Sequence, residues 1–171
     1  MLKHSLALEQ LRSISESDLP FLKKLYATTR EKEMGPVPWP DAQKMLFLQS
    51  QFQLQHNYYQ QQFTNGEFKI IDINGEPVGR LYYAWEKNNL RLIDIALLPA
   101  FQKKGIGKYL MLALMELVNA IDGKLLLHVD INNPIRNWYL RLGFLPEDTK
   151  SPLAGGVYEQ LGWRAPDKFP L

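Results

Sequence analysis

Apolar residues recur along the chain at two spacings, which predict an alternation of helices and strands. A spacing near 3.6 residues marks two early helices, the first beginning at Ser17 or Asp18 and the second covering residues 41 to about 63. Residues 5–15, which precede them, alternate well enough to predict a first strand. The segment between the helices, residues 31–40, holds one glycine and three prolines and is predicted to be a loop.

The middle of the chain predicts three consecutive strands joined by tight turns. An Asn-Gly pair at residues 74–75 is typical of a hairpin, and the second turn is the polar segment 87–89. The third strand is almost continuously apolar, as is usual for a strand buried on both faces. The three strands are predicted at residues 67–73, 78–86 and 90–98.

The second half of the chain predicts two further helices, each followed by a strand. The first helix ends near Ile121, and the second is short, with Pro134 in its first turn and Gly143 just after its end. The predicted ranges are 123–131 for a buried strand, 133–142 for the short helix and 155–163 for a last strand. The order β-α-α-β-β-β-α-β-α-β predicts a mixed α/β layer structure.

Composition and charge narrow the functional class. The 171 residues are enough for a single domain with one core, and we expect residues 1–171 to form one. The net charge is only +2, which argues against a general nucleic-acid-binding protein because such proteins usually carry a basic stripe. The sequence contains no cysteine, which excludes disulfides, thiolate metal sites and cysteine nucleophiles. The absence of cysteine also fits a reducing compartment, and we expect no metal. Because the sequence shows no signal-like segment and no membrane-length apolar run, we expect a cytoplasmic protein with no membrane partner.

A turn rich in glycine and lysine joins the most apolar strand to the helix after it. That helix offers free backbone N–H groups and the positive end of its dipole, and two glycines keep side chains away from those amides. The turn is not a Walker A loop, because Tyr109 follows the Gly-Lys pair, and Leu110 breaks the dinucleotide fingerprint. It therefore predicts an anion site, with a plain glycine turn as the alternative. The segment comprises Gln102, Lys103, Lys104, Gly105, Ile106, Gly107 and Lys108.

Two segments, taken together, resemble the GNAT acyltransferase superfamily. The pattern Q-x-x-G-x-G at residues 102–107 is similar to its acetyl-CoA-binding motif, and residues 129–144 resemble its strand-then-helix segment. The asparagine of that second segment is either Asn132 or Asn133. The matching positions are Tyr139, Leu142, Gly143 and Phe144, and the departures are Ile135 and Trp138.

The resemblance implies a fold and a reaction. The fold is a mixed β-sheet with helices on both faces, in which two central parallel strands splay apart. The reaction is direct transfer of an acetyl group from acetyl-CoA to an amine, without a covalent enzyme intermediate. The backbone of Ala96, Leu97 and Leu98 would bind the pantetheine arm, and the amide near Leu97 would polarise the acetyl carbonyl. Asn132 and Asn133 join the glycine turn as cofactor-binding candidates.

The resemblance also implies that Tyr139 protonates the leaving thiolate. A phenol with a pKa near 10 can donate to a thiolate whose thiol has a pKa of about 8.5. The alternative is an aromatic side chain that packs beside Trp138.

The general base remains open on the sequence alone. Asp94 is the one charged residue in the segment 92–98, where alternation places it on the face of Leu92 and Ala96. A buried carboxylate there is either a base or a structural hydrogen-bonding hub. His128 and Asp130 on the next strand are weaker candidates, and a chain of water molecules is a further alternative.

The acceptor pocket is expected among the loop and helices after the first strand. Glu31 and Glu33 could hold a cationic amine, Arg30 could hold a carboxylate, and Trp39 between prolines could form a wall. For each residue the alternative is a solvated surface position. The full candidate set is Arg30, Glu31, Glu33, Trp39, Gln51, Gln55 and Tyr59.

The sequence therefore predicts an N-acetyltransferase whose acceptor is an amine of a small molecule or a protein. The alternative is a non-catalytic acetyl-CoA-binding or interaction protein on the same fold. The oligomeric state is open, with a homodimer as one option.

Overall fold

The computed structural model describes residues 9–147 and 157–166, and in this part of the chain seven strands form one sheet. The strands are β1 (Leu11–Ser13), β2 (Glu67–Ile73), β3 (Glu76–Glu86), β4 (Asn89–Leu97), β5 (Leu125–Asp130), β6 (Leu145–Pro146) and β7 (Tyr158–Trp163). Their order across the sheet is β1-β2-β3-β4-β5-β7-β6. Strands β4 and β5 run parallel, and the other five neighbouring pairs in this described sheet are antiparallel.

Helices cover both faces of this sheet. Those of the described residues are α1 (Leu19–Met34), α2 (Asp41–Gln62), α3 (Ile106–Asn119) and α4 (Ile135–Arg141). On one face, Leu110 and Leu114 of α3 belong to a core that includes Tyr139 of α4. On the other face, α1 and α2 form a smaller core in which Phe52 packs with Ile70 of the sheet. The predicted α/β class with helices on both faces is confirmed.

The two ends of the element series differ from the sequence prediction. The first strand is limited to residues 11–13, because Glu9 is helical and Gln10 lies in a turn, while residues 5–8 lie outside the described residues. The last strand begins at Tyr158, one residue after the non-strand Val157. Residues 155–156 of that predicted strand also lie outside the described residues. The two-residue strand β6 was not predicted, since so short a segment leaves no periodic signal.

Asp18 organises the start of α1, although not as a conventional helix cap. Its carboxylate accepts a hydrogen bond from the backbone N–H of Ser15 at 2.8 Å, three residues earlier. It also receives two hydrogen bonds of 2.9 Å from the guanidinium of Arg12. Asp18 is the N-cap residue of α1, one of the two residues predicted for that position, but its side chain makes no capping hydrogen bond because it points back toward β1.

The two parallel strands separate soon after they meet. Three residue pairs join β4 to β5, and the last is Leu92 with Leu127. On its other side, β4 has one more residue than β3, since Tyr83 pairs with Leu92 whereas Tyr82 pairs with Asp94. Ile93 is the unpaired residue of this β-bulge, and a bulge bends a strand and increases its twist. The splay expected from the resemblance is therefore present, with a bulge at its origin.

The bulge reverses the faces that follow it. Residues directly opposite each other in a ladder share a face, so Asp94 shares the face of Tyr82, and Leu92 that of Tyr83. Because Tyr82 and Tyr83 are consecutive, Asp94 and Leu92 lie on opposite faces of the sheet. The predicted common face of Asp94 and Leu92 is wrong, since strict alternation does not allow for the extra Ile93. Asp94 instead faces α1 and α2.

The interior of the larger core depends strongly on α3. This helix has 14 residues and buries six side chains, among them Leu110, Leu114 and Val118. No helix in the described parts of the chain is both long and apolar enough to cross a membrane.

Candidate active site

The backbone of β4 presents hydrogen-bonding groups to the gap beside β5. Leu98 N–H donates to Val78 O of β3 at 2.9 Å, so this amide points away from the gap. Because the groups of an antiparallel ladder alternate, Ala96 also points toward β3, whereas Leu97 points the opposite way. Ile95 shares the orientation of Leu97. Leu97 N–H is therefore directed into the space that β5 leaves open, unlike the amides of the other two predicted backbone residues.

The glycine turn forms the N-terminus of α3, at one end of the same gap. Gly105 is the residue before the helix and has a φ of +87°, a left-handed conformation that favours glycine. No side chain caps this helix end, and the amides of Ile106, Gly107 and Lys108 have no acceptor within the helix. A Cβ at Gly107 would lie 3.7 Å from the Trp138 ring, so the indole borders the turn. The amides and the dipole make this turn suitable for a phosphate group.

The polar side chains of the turn have different positions. Gln102 Nε2 donates to Leu97 O at 2.9 Å, which ties the turn to the end of β4. Lys103 has a φ of +60°, and Lys104 Nζ lies 5.7 Å from the centre of the Phe101 ring. Lys103, Lys104 and Lys108 are all exposed. Gln102 therefore stabilises the turn, while the exposed lysines place positive charge around it.

Tyr139 lies on α4 and is 7% exposed. Its ring contacts Trp138 and Phe144, with centroid distances of 5.2 and 5.6 Å. Burial raises the pKa of the Tyr139 phenol above its ordinary value, and the negative charge of Asp94 raises it further. The phenol is therefore protonated at neutral pH, as a proton donor must be, and it is close enough to Asp94 to interact electrostatically.

Asp94 is paired with an arginine that the sequence analysis did not select. Arg80 Nε donates to Asp94 Oδ2 at 2.5 Å, and Arg80 Nη2 donates to Gln55 Oε1 of α2 at 2.8 Å. The Arg80 side chain is 5% exposed and that of Asp94 is 27% exposed. In this ion pair Arg80 is therefore buried and Asp94 is partly exposed, and both lie on the face of the sheet covered by α2.

The two candidate asparagines lie in the turn between β5 and α4. Asn133 Oδ1 accepts a hydrogen bond from Ile135 N–H at 3.1 Å, which satisfies a first-turn amide of α4. Asn132 N–H donates to Asp130 Oδ1 at 2.8 Å, and the Asn132 side chain is exposed. Asp130 thus has a structural role in this turn, and of the two asparagines Asn132 has the side chain that is open to a ligand.

His128 is held by an arginine from the neighbouring strand. Arg91 Nη1 lies 3.1 Å from His128 Nδ1, and Arg91 Nε donates to Glu86 at 2.5 Å. An arginine has only donors, so Nδ1 is the acceptor and the imidazole is neutral. Burial lowers the pKa of His128, and the charge of Arg91 lowers it further. This Nδ1 is occupied and cannot accept a proton from a substrate while the contact persists.

The structure separates the seven predicted acceptor residues into two groups. Gln55 and Tyr59 lie near Asp94, since Gln55 binds Arg80 and the Asp94 charge, after burial, raises the pKa of Tyr59. Gln51, one turn earlier on α2, is half-buried. The second group lies around the end of α1 and the loop after it, and comprises Arg30, Glu31, Glu33 and Trp39.

The second group makes local contacts. Arg30 donates to Glu33 at 2.8 Å and to the hydroxyl of Tyr26 at 2.6 Å. Trp39 packs edge-on against Phe47, with ring centres 5.5 Å apart. Glu31 lines a groove of about 530 Å³ between α1 and α2. These four residues therefore make contacts within α1, α2 and the loop between them, and none of these contacts involves Asp94.

Arg80 and Gly79 are the residues that sequence reasoning missed. Arg80 is the one charge inside the apolar part of β3, and Asp94 is its counterpart in the next strand. Two opposite charges inside adjacent hairpin strands are a signal that could have identified the pair. A Cβ at Gly79 would overlap Ala96 O and lie 2.8 Å from Leu97 Cδ2, so this glycine allows the end of β4 to approach β3. Nothing in the sequence alone distinguishes it from other strand glycines.

Comparisons with known proteins identify the family and the fold. A sequence model described as the Acetyltransferase (GNAT) family matches residues 26–144. A search of curated proteins finds no significant match. Among solved structures, the PaiA N-acetyltransferase of Thermoplasma acidophilum in complex with coenzyme A is similar, with a TM-score of 0.63 at 18% identity, covering 90% of this chain and 97% of that one.

Two other solved structures have the same fold. Ard1 from Thermoplasma volcanium is 16% identical, with a TM-score of 0.57 and coverage of 90% of this chain and 95% of that one. RimL, a ribosomal alpha-N-protein acetyltransferase solved without ligand, is 19% identical, with a TM-score of 0.59 and coverage of 90% and 88%. At these identities the structures establish the fold, and the family match covers more than half of the sequence. The chain belongs to the GNAT family of acetyltransferases.

Proposed function

We propose that the protein is an acetyl-CoA-dependent N-acetyltransferase that transfers the acetyl group directly to an amine of a small molecule or a protein. The observation that carries the proposal is the gap between β4 and β5 beyond Leu92 and Leu127. Leu97 N–H points into this gap, and the amides of the glycine turn lie at one end of it. An acyl donor with a phosphate-bearing arm fits such an arrangement.

The residues that would hold acetyl-CoA can be named from their donors. The first-turn amides of α3, from Ile106 to Lys108, are suited to its pyrophosphate, and the exposed lysines of the turn add positive charge. The backbone of β4 beside the gap is suited to the amides of its pantetheine arm. Acetyl-CoA supplies an activated thioester, and acetylation of an amine releases the free thiol.

One backbone amide and two side chains then have roles in the transfer that follow from their surroundings. Leu97 N–H stabilises negative charge on the acetyl oxygen, as oxyanion-binding amides do. Tyr139 is protonated and buried and gives a proton to the departing sulfur, later regaining one from water. Asp94 accepts a hydrogen bond from the amine, orients it, and passes the amine proton to water.

Relatives show the range of acceptors to be tested. The names of similar proteins include an N-acetyltransferase of the PaiA type and an enzyme that acts on a ribosomal protein. These names describe those proteins, and with identities of 18% and 19% they do not select an acceptor for this chain. The choice between a small amine and a protein amine therefore needs an experiment.

The proposal is tested by thiol release from acetyl-CoA in the presence of an amine panel. The panel contains alkylamines, polyamines, amino acids and peptides with free α-amino groups, with the matching alcohols as controls. We expect thiol release that depends on one amine class, with a product heavier by one acetyl group in mass spectrometry. Binding of acetyl-CoA without transfer to any amine would favour the non-catalytic alternative, and absence of binding would refute the cofactor assignment.

A further inference from the structure

Arg80 is a buried cation beside the candidate reaction centre. Its side chain is 5% exposed, and a buried charge is stabilised only when its partners are well placed. Those partners come from two other elements, Asp94 of β4 at 2.5 Å and Gln55 of α2 at 2.8 Å. The planar guanidinium holds several donors in a fixed geometry, so it fixes the position of Asp94 relative to α2.

Aromatic rings enclose this pair. The Arg80 guanidinium carbon lies 4.8 Å from the centre of the Tyr82 ring, and Tyr82 is directly opposite Asp94 in the ladder. Tyr59 of α2 packs edge-on against Tyr82, with ring centres 6.2 Å apart. The guanidinium therefore has little freedom to leave Asp94.

Arg80 contacts one oxygen of the carboxylate. Both Nε and Nη2 lie 2.5 Å from Asp94 Oδ2. The second oxygen, Oδ1, is thus the one that can accept an N–H from an incoming acceptor, and the Asp94 side chain is 27% exposed. The geometry suits a carboxylate that is held in place from within the protein and binds the acceptor on its outer side.

The titratable and charged groups around Asp94 come from three directions. Arg80 and Tyr82 face it from β3, Tyr59 from α2, and Tyr139 from α4. The negative charge of Asp94 acts on all three phenols, while Arg80 is the cation that opposes it at Tyr59 and Tyr82.

We propose that Arg80 is a positioning residue of the acceptor site, which together with Gln55 holds the Asp94 carboxylate with Oδ1 directed to the acceptor amine. This inference rests on the proposed function and deepens it, because it selects acceptors with an N–H that can donate to a fixed carboxylate. Arg80 itself does not touch the reacting atoms.

The test is kinetic, with the best acceptor from the amine panel. In Arg80→Met we expect kcat/KM for the acceptor to fall roughly 10²-fold, because a misplaced group costs about that much, while the KM for acetyl-CoA stays within a few-fold. Arg80→Lys keeps the positive charge but loses the planar fork of donors, so it should restore only part of the acceptor kcat/KM.

Two further variants keep the test decisive. Arg12→Met, on strand β1 of the same sheet, is the matched control, since it removes the cationic partner of the buried Asp18 and should leave the kinetics unchanged. If Arg80→Met does not fold, Arg80→Met with Asp94→Asn removes both charges at once, which proteins tolerate better than one unpaired charge. The double variant should then have the same kcat/KM as Asp94→Asn alone.

The outcomes separate this inference from the proposed function. If the wild type shows no transfer to any amine, the proposed function fails and this inference fails with it. If the wild type is active but folded Arg80→Met keeps its acceptor kcat/KM, only the positioning role is overturned. An additional loss in the double variant beyond that of Asp94→Asn would show that Arg80 acts independently of Asp94, which also overturns it.

Discussion

Leu92 and Leu127 form the last residue pair between the two parallel strands, and the next residue of β4, Ile93, is a bulge. The bulge and the end of pairing coincide, so the local bend of β4 directs it away from β5. The opened gap exposes the backbone of Leu97 on one edge while the antiparallel ladder with β3 secures the other edge. The extra residue Ile93 therefore lies where the gap between the strands begins, four residues before Leu97, whose amide faces that gap.

The close approach of β3 to the end of β4 should be essential to this arrangement. In Gly79→Ala, the added methyl group would overlap Ala96 O, a backbone atom that can move only if β4 shifts. We expect a loss of about 1–3 kcal/mol in the free energy of unfolding, as for other overpacked sites, and weaker binding of acetyl-CoA. Urea denaturation and calorimetry measure the two effects.

Gly35→Ala is the matched control for that substitution. Gly35 is exposed at the end of α1, and a Cβ there would lie 3.4 Å from Glu31 O, which is an ordinary contact. It should change neither stability nor affinity appreciably. Unaltered acetyl-CoA affinity in Gly79→Ala would show that the position of the β4 terminus does not govern binding.

The glycine turn should bind the pyrophosphate of CoA. Gly107→Glu adds a carboxylate at the second residue of α3, where the free amides and the helix dipole favour an anion from the ligand instead. We expect CoA affinity to fall by about tenfold or more, corresponding to about 1.4 kcal/mol of binding free energy. Isothermal titration calorimetry with CoA gives the value directly.

A second carboxylate placed elsewhere controls for net charge. Gly35→Glu makes the same chemical change at an exposed glycine outside the turn, and it should leave CoA affinity unchanged. Equal affinities for wild type and Gly107→Glu would place the phosphate site somewhere other than the N-terminus of α3.

The order of elements could be predicted because their periodic patterns are long and their turn residues are specific. The Asn-Gly hairpin at residues 74–75 and the glycine at the end of α4 lie where the sequence placed them. The face of the sheet on which Asp94 lies could not be predicted. It depends on a bulge, and a bulge is set by the pairing of two strands and leaves no signal in the alternation of one strand. The orientation of the Leu98 amide could not be predicted for the same reason, because its N–H donates to the carbonyl of Val78, a residue 20 positions earlier in the chain.

The candidate site was predictable only where the backbone provides the chemistry. The turn from Gln102 to Lys108 carries its own signal, since glycine at a helix start has few structural substitutes. The acceptor-binding side chains could not be predicted in the same way, because their contacts depend on residues that are distant in the sequence. Gln55 was selected as a pocket residue, and it binds Arg80, while Arg30 is occupied by Glu33 on its own helix.

Asp18 should make the stability of the fold depend on pH in the acidic range. Its contacts with Arg12 and Ser15 lower the pKa of the Asp18 carboxyl from 3.8 to about 2, and its side chain is 7% exposed. A lowered pKa stabilises the folded state fully above the ordinary value and progressively less as the pH falls through the folded value. We expect a contribution of about 2 kcal/mol at pH 6, about half of that near pH 3 and under about 0.5 kcal/mol at pH 2.

Urea denaturation of wild type and Asp18→Asn at several pH values measures this contribution as the difference between their free energies of unfolding. The difference should shrink as the pH falls from about 4 to about 2. Glu16→Gln, which neutralises an exposed carboxylate two residues away, is the matched control and should change the free energy of unfolding little. A difference for Asp18→Asn that stays constant with pH would mean that the ion pair with Arg12 contributes no net stability.

Tyr139 should act on the rate of transfer rather than on binding. Tyr83→Phe is its matched control, because it removes a hydroxyl from a half-buried ring that packs against the same core. That variant should keep the kcat of the wild type. It therefore reports any loss that comes merely from deleting a phenol oxygen in this part of the protein.

In Tyr139→Phe the ring contacts with Trp138 and Phe144 remain, so the fold and the acetyl-CoA affinity should change little. The substitution removes the proton that the sulfur needs on leaving, and general acid catalysis typically contributes about 10²–10⁴ in rate, so kcat should fall by that factor. The loss should be smallest at high pH, where a thiolate can leave without a proton. Steady-state kinetics from pH 6 to about pH 10 stay below the raised pKa of the Tyr139 phenol, so the wild-type donor remains protonated throughout. A variant with full kcat but weaker acetyl-CoA binding would make Tyr139 a packing residue and leave the proton to water.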